Sequence, residues 1–510
     1  MAGSVTVSGA VTFDLVPFNT VTNGLNYNAI SQEPVRGVTV EAIDAAGTVL
    51  ATGQSDANGN YSLTVDSNTN MRVRALAEIV QTGQASFDVS VVDNTNNNAV
   101  YAVQGALSSS GTANSVRNLN ADSGWGGSSY TSTRAAGPFA ILDAAYESVT
   151  GFVAVAPDVT FPELMIGWST ENRAVSGDSA NGDIGTSSYV GNGVSGMVFI
   201  LGDENADTDE YDRHVIVHEW GHYFEDRISR SDSPGGPHTL GFRLDARLAM
   251  GEGWGNALSG IITDDSIYRD SSGFQQSQGF SFDVEDNNNF NEGWFSEGSV
   301  QSIIYDLYDG DNDGADSIEL GLGPIYEALI DDVYINQPTF TTIYSFVDQV
   351  RTESPSNVAD INALVEEQSI FGAGFDGEGE TNDGGISVAL PLYNVLTVNG
   401  APTELCSVDD ETLTAEFSRI GGRTFARFDI AVSGNYIFSA VQTSGDNNRD
   451  PIVIIPLGNG FAFVLDSDEL EQSVLLQLDA GGYSLEFRDE NNISDVNTGD
   501  SCYNLSIVEN

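Results

Sequence analysis

Residues 218–222 read His218-Glu219-Trp220-Gly221-His222, and this stretch decides how the rest of the chain is interpreted. It is the His-Glu-x-x-His pattern. Two histidines four residues apart lie one above the other on a helix, so both imidazoles can reach one Zn²⁺. Glu219 projects from a neighbouring position and can take a proton from a water molecule without being a ligand. The stretch therefore predicts a helix with two zinc ligands and a general base.

A zinc site that acts on a substrate needs a third protein ligand and a position left open to water. Glu252 is the best candidate, in Met250-Gly251-Glu252-Gly253-Trp254, thirty residues after His222. The apolar spacing of residues 248–262 predicts a second helix around it. Each glycine in a helix costs about 1 kcal/mol relative to alanine, so we expect another element to approach this helix closely.

These two motifs, with Gly235-Gly236-Pro237 between them, resemble the fungalysin family of secreted zinc metallopeptidases, within the thermolysin-like gluzincin group. The resemblance covers residues 211–262 well and residues 298–308 more loosely. It implies a zinc metalloendopeptidase that hydrolyses extracellular proteins or peptides. The zinc ligands would be His218, His222 and Glu252, and Glu219 would be the general base.

Two positions depart from the family pattern. Asn256 stands where the family has an Asp that bonds a ligand histidine, and an amide raises ligand basicity less than a carboxylate does. No histidine follows Glu252 in this chain to hold the developing oxyanion. Tyr305 is our candidate for that donor, and the alternatives left open are Tyr308, Arg269 and His238. The departures also leave open a catalytically degenerate zinc-binding protein that serves in adhesion or binding.

The composition argues against several classes of partner. The chain has 510 residues, with 18 basic and 74 acidic residues and a net charge of −56. That charge repels nucleic acid and anionic membranes, and no apolar run is long enough to predict a membrane span. We expect a monomer that acts on proteins or peptides. So acidic a surface suits a salt-rich or calcium-rich extracellular setting.

The cysteine content indicates a compartment. The chain has two cysteines, Cys406 and Cys502. One disulfide between them would point to an oxidising compartment, and two reduced, buried cysteines are the alternative. The sequence starts with a strand pattern and without a signal peptide, so we interpret it as a mature secreted protein, with a cytoplasmic protein left open.

The predicted fold class is multidomain, with an α+β zincin-type domain between two all-β sandwiches. Residues 1–107 read as short alternating strands, and their turns resemble the carboxypeptidase-regulatory-like β-sandwich. Residues 108–400 would form the zinc metallopeptidase domain. Residues 401–510 return to strand patterns and resemble the pre-peptidase C-terminal domain, a β-sandwich found on secreted peptidases.

Residues 187–194 and 197–201 are both candidates for an edge strand that pairs with extended substrate. An internal strand is the alternative for either one.

Calcium is a second possible cofactor. Asp309, Asp311 and Asp313 fall at positions one, three and five of a run that reaches a glycine at position six, as a calcium loop does. Position twelve is Leu320 and not Glu, so a full EF-hand does not follow, and a solvated acidic turn is the alternative. Residues 203–212 hold six further acidic residues, which could cap the zinc helix or bind Ca²⁺.

Overall fold

The computed structural model describes residues 3–510 except 290, 311–316, 410–415, 446–448, 458–460, 467–470 and 495–498. The chain divides into two compact units, of which unit 1 is Met1–Ile228 with Leu258–Asp283 and unit 2 is Ser229–Ala257 with Val284–Asn510. Both contain β-sheets and helices, which confirms the coarse expectation of a chain that combines the two. The finer fold class and the domain boundaries after residues 107 and 400 stay predictions.

Unit 1 begins with a series of short strands. Their bounds are β1 Ser4–Leu15, β2 Ser31–Pro34, β3 Val38–Ile43, β4 Val49–Gln54, β5 Asn60–Asp66, β6 Asn70–Gln81, β7 Phe87–Asp93, β8 Ala99–Val100, β9 Ala102–Gln104, β10 Ser108–Ser109, β11 Ser115–Val116, β12 Leu119–Ala121, β13 Leu164–Trp168, β14 Ser188–Gly191, β15 Gly196–Ile200, β16 Gly202–Asp203, β17 Asp207–Thr208, β18 Ile267–Ser272 and β19 Gln278–Asp283. The strands predicted from alternating residues all form.

Most of these strands belong to two larger sheets, while β16 pairs with β17 and β18 pairs with β19 in two-stranded sheets. One is built on β1, which pairs in parallel with β11 and β12 and antiparallel with β2 and β5. The other has the order β14-β15-β13-β7-β6-β3-β4. In it β7 pairs in parallel with β13, so strands from both sides of residue 107 share one sheet. Strand β14 lies at the end of this order and β15 lies inside it. Residues 187–194 therefore contain the edge strand, and residues 197–201 an internal one.

Helix α1 spans Gly137–Val155, and helices α2 (Arg213–Arg227) and α3 (Ala246–Thr263) form where they were predicted, around His218–His222 and around Glu252. Within unit 1, α1 lies against β6, β7 and α2. By length and composition α1 could cross a membrane, and 56% of the qualifying window is buried inside the structure. A buried core helix passes the same test, so this is weak evidence for a span.

Unit 2 contains helices and then strands. The helices are α4 Glu297–Tyr308, α5 Leu322–Ile330, α6 Asp332–Asn336, α7 Ile343–Glu353, α8 Val358–Glu367 and α9 Glu490–Ile493. The strands are β20 Tyr393–Val395, β21 Thr403–Ser407, β22 Arg423–Ile430, β23 Gly434–Ser444, β24 Pro451–Leu457, β25 Phe461–Asp466, β26 Glu471–Leu478, β27 Gly481–Asp489 and β28 Ser501–Glu509.

The C-terminal strands form two sheets, with the orders β20-β22-β27-β24-β25 and β21-β28-β23-β26. Their inward residues share one apolar core that includes Phe428, Phe438 and Phe487. Cys406 and Cys502 face each other across β21 and β28 and form the predicted disulfide. The alternative of two reduced cysteines is therefore wrong for this structure.

Candidate metal centre

Helix α2 carries the motif and is fixed in rotation by aromatic packing. Trp220 and Phe224 lie with their ring centroids 5.3 and 4.7 Å from that of Phe152 on α1. Residues four apart share a helix face, and two residues correspond to about 200° of rotation. With Trp220 and Phe224 held against α1, His218 and His222 therefore share the opposite face.

The two histidines converge on one point. Their Nε2 atoms lie 3.0 Å apart and their rings are nearly perpendicular. A tetrahedral zinc ion with Zn–N bonds of about 2.0–2.1 Å would separate two nitrogen ligands by about 3.3 Å. The pair is thus close to the spacing that zinc needs.

Glu225 accounts for the orientation of His222, and the sequence reasoning missed it. Its Oε2 atom lies 3.4 Å from Nδ1 of His222, and the Glu225 side chain is buried. An Nδ1–H that points at a carboxylate leaves Nε2 as the lone-pair nitrogen, and we assign that tautomer here. The spacing of three residues after His222, on the same helix face, is the signal that could have found it.

Glu219 is buried beside the edge strand. Its Oε2 atom accepts a hydrogen bond of 2.6 Å from the backbone N–H of Tyr189 on β14. The hydroxyl of Tyr189 donates to Oδ2 of Asp226 at 2.7 Å, two helical turns after Glu219 on α2. The edge strand is therefore tied to α2 at two points, and one of them is the predicted general base.

In unit 2, Glu252 is one of two glutamates that contact His238. His238 places Nε2 at 3.3 Å from Oε2 of Glu252 and Nδ1 at 2.9 Å from Oε2 of Glu297, in the first turn of α4. Glu252 and Glu297 are both buried. His238 was left open as an oxyanion donor, and the structure places it between these two carboxylates, where it can hold Glu252 in position.

The start of α3 is anchored by a buried ion-pair network. Arg247 bonds Asp245 at 2.8 Å and Glu486 of β27 at 2.7 Å, and all three are buried. Its guanidinium also lies over the rings of Phe340 and Phe425. A guanidinium with this many partners fixes the first turn of α3, one turn before Glu252.

Gly253 confirms the expected close approach to α3. A Cβ atom at this position would lie 2.5 Å from Cβ and Cγ1 of Val300 on α4. Real Cβ atoms are not found that close to other carbons, so the helix contact requires glycine here.

His218 and His222 belong to unit 1 and Glu252 belongs to unit 2, so the structure brings the two histidines together within one unit, and Glu252 as the third ligand stays a prediction. Two imidazole nitrogens and one carboxylate oxygen are a donor set that catalytic zinc takes, with a position left for water. The residues present therefore fit a zinc ion. Within unit 1, the carboxylates of Asp207, Asp209 and Asp270 form another group of possible metal ligands.

The remaining predicted residues fall at separate places. Tyr305 is buried on α4, with its ring 6.0 Å from that of Tyr308. The side-chain amide of Asn256 donates to Oε1 of Gln301 at 2.9 Å. Arg269 on β18 pairs with Asp265.

Of the three predicted calcium ligands, Asp309 alone lies within the described residues. Asp309 ends α4 as its C-cap, while Asp311 and Asp313 lie outside the described residues. Their assignment as calcium ligands stays a prediction.

One further histidine lies on α2, four residues before His218. Burial lowers the pKa of His214 to about 4, against its usual 6.5. Its Nε2 atom lies 3.0 Å from the backbone oxygen of Asp265 and 3.1 Å from the hydroxyl of Thr263. His214 is thus a neutral core histidine that ties α2 to the chain after α3.

Comparisons with solved structures give distant likenesses. Among solved structures, the precursor of protealysin, a metalloproteinase from Serratia proteamaculans, is 9% identical, with 57% of this chain and 88% of that chain covered and a TM-score of 0.31. The pre-peptidase C-terminal domain of a collagenase from Bacillus anthracis is 14% identical, with 22% and 95% covered and a TM-score of 0.17. At these TM-scores neither likeness carries an argument. No curated protein matches the chain.

A family match gives the firmer result. The family model of the Mycolysin C-terminal domain matches residues 180–362. This segment contains the His218 to His222 motif and Glu252. The similarity supports a peptidase-related protein, and the resemblance to fungalysin stays a prediction.

Proposed function

We propose that the chain is a secreted, zinc-dependent endopeptidase that hydrolyses extracellular proteins or peptides. The observation that carries the proposal is the convergence of two imidazole nitrogens, 3.0 Å apart, on the helix that also bears Glu219. Glu252, which His238 contacts in unit 2, would be the third zinc ligand. A bound zinc ion would supply Lewis acidity at the scissile carbonyl.

The protein's own residues would carry the proton and hold the ligands. Glu219 would take the proton of the attacking water and pass it to the leaving amine. Glu225 would hold His222 in the tautomer that presents Nε2, and His238 would hold Glu252. Tyr305 would donate to the developing oxyanion, a contribution of about 3 kcal/mol in comparable enzymes.

The edge strand supports a peptide substrate. The N–H of Tyr189 points at Glu219, away from β15, so the outer edge of β14 lies beside the proposed base. An extended peptide that adds to this edge would gain main-chain hydrogen bonds there.

The proposal also assigns a role to the two flanking modules and a location to the protein. The predicted sandwiches at residues 1–107 and 401–510 would support a zincin-type domain without chemistry of their own. The Cys406–Cys502 disulfide supports an oxidising, extracellular location. We further propose that the protein acts as a monomer.

The test compares Glu219→Gln with the wild type on casein and on a mixed peptide library, with zinc measured on the same samples. Glutamine keeps the shape of the side chain and cannot accept the proton. We expect one zinc per chain in both proteins and a loss of turnover of about 10²–10⁴-fold in the variant. Glu171→Gln serves as a control, because Glu171 is an exposed glutamate of the same unit.

The outcomes separate the proposal from its rival. Retained turnover in Glu219→Gln would contradict the role of Glu219 as base. One zinc per wild-type chain without any cleavage would favour the degenerate zinc-binding adhesion or binding protein. Absence of zinc from the wild type would contradict the ligand set.

A further inference from the structure

A second cluster of ligand-type side chains lies in unit 1. Asp207 is on β17, Asp209 follows this strand, and Asp270 is on β18. One carboxylate oxygen from each lies within 4.8 Å of the others. The cluster joins a strand from before α2 with one from after α3, and it includes none of the proposed zinc ligands.

Asp209 shows that the cluster is not satisfied by the protein alone. It is only 3% exposed, and its Oδ2 atom accepts a hydrogen bond from the hydroxyl of Ser187. In the part of the chain that the structure describes, Oδ1 of Asp209 and Oδ1 of Asp207 are buried without any hydrogen-bond partner. A buried carboxylate oxygen without a partner loses its hydration and gains nothing in return.

Among the described residues, no cationic side chain compensates the cluster. Among the ion pairs of the described residues, none includes Asp207, Asp209 or Asp270. Three carboxylates at this separation repel one another strongly in a desolvated site. The arrangement needs either protons or a cation from solution.

We propose that Asp207, Asp209 and Asp270 bind one calcium ion. The donors are all carboxylate oxygens, which Ca²⁺ prefers, whereas zinc prefers nitrogen and sulfur. Calcium accepts six to eight oxygen ligands in irregular geometry, so water and backbone oxygens can complete the shell. Mg²⁺ would require near-ideal octahedral geometry.

The electrostatics of the cation-free protein agree with this assignment. Burial raises the pKa of Asp207 to about 6 and that of Asp270 to about 7. Burial and the neighbouring Asp207 carboxylate raise the pKa of Asp209 well above its usual range. A cation between these groups would remove the need for protons at neutral pH.

The position of the cluster indicates what the ion would do. Ser271, next to Asp270, donates its N–H at 2.7 Å to Asp212, the N-cap residue of α2. Asp209 lies three residues before Asp212. A calcium ion here would therefore join β18 to the chain that enters α2, and it would stabilise the start of the helix that bears His218.

The test measures calcium binding to the full, zinc-loaded chain by equilibrium dialysis with Ca²⁺ alone as the probe. The background carries Asp309→Asn, Asp311→Asn and Asp313→Asn, which removes the other candidate calcium site. We expect Asp209→Asn to lose one bound calcium per chain at a concentration that saturates the background protein. Asp158→Asn, an exposed aspartate of the same unit, should bind as the background does.

A second measurement guards against a variant that fails to fold. The background protein should show a melting temperature that rises with calcium concentration, and Asp270→Asn should lose that rise while it keeps its zinc. Unchanged calcium stoichiometry in both variants would overturn the site. Tighter binding of Mg²⁺ than of Ca²⁺ would overturn the choice of ion. A calcium-independent rise in stability of both variants, without calcium binding to the background, would show that the cluster holds protons instead.

Discussion

Substitution of Gly253 by alanine should destabilise the protein, although alanine is the better helix former. Gly253 lies next to the proposed ligand Glu252, at the point where α3 meets α4. In an open helix the change would gain about 1 kcal/mol. The contact with Val300 reverses that sign.

The magnitude follows from the contact distances. The new Cβ would lie 2.5 Å from Cβ and Cγ1 of Val300 and 3.0 Å from the backbone N of Gln301. Carbon atoms in contact are about 3.5–4.0 Å apart, so at least about 1 Å is missing. Val300 is β-branched and its Cβ cannot rotate away, so α4 itself must move. Overpacking costs about 1–3 kcal/mol. With an overpacking cost of about 3 kcal/mol and a helix-propensity gain of about 1 kcal/mol, we expect the free energy of unfolding to fall by about 2 kcal/mol.

The assay is a double-mutant cycle followed by urea unfolding. Val300→Gly removes both clashing atoms, so in that background Gly253→Ala should be neutral or stabilising, with a coupling energy of about 3 kcal/mol. The zinc affinity of Gly253→Ala alone should also fall, because its strain is adjacent to Glu252. If Gly253→Ala in the protein that keeps Val300 were as stable as the wild type, or more stable, the reasoning would be refuted.

Three further predictions concern the same helices. Glu225→Gln should weaken zinc binding about 10–100-fold, because it removes the carboxylate at Nδ1 of His222, and competition with a chelator measures this; unchanged affinity would contradict the contact. Tyr305→Phe should lower kcat about 10²–10³-fold with zinc retained, and wild-type kinetics would exclude it as the oxyanion donor. His214 has a folded pKa of about 4, below the unfolded value of 6.5, so its stabilising effect is complete above pH 6.5 and declines as the pH falls to 4. The loss is up to about 3 kcal/mol. The melting temperature of His214→Gln should therefore change less with pH over this interval than that of the wild type.

Local features of the candidate site could be predicted from the sequence. The spacing of His218 and His222 identified α2, because a helix repeats every 3.6 residues. The glycines around Glu252 identified a crowded helix, and Val300 supplies the crowding. Alternating residues identified strands such as β6, whose side chains are buried at every second position.

Features that depend on long-range pairing could not be predicted. The contact between Tyr189 and Glu219 spans thirty residues and exists because β14 takes the edge position beside β15. The pairing of β7 with β13 joins segments seventy or more residues apart, which no local pattern encodes. Two carboxylates converge on His238 from two separate helices, α3 and α4, so its place also depends on tertiary packing.

The imbalance of charge links these observations. With 18 basic residues for 74 acidic ones, few buried carboxylates can have a guanidinium partner. Where a carboxylate has such a partner, the attraction between the charges outweighs the cost of desolvation. Arg247 in this way holds the pKa of Asp245 below its usual range. Where a carboxylate has none, as at Asp209, desolvation raises the pKa of the carboxyl instead. Hydrogen-bond donors serve other buried carboxylates, as Ser271 serves Asp212, but Oδ1 of Asp207 and Oδ1 of Asp209 have no such donor among the described residues, and this is the place where a metal ion would compensate the charge.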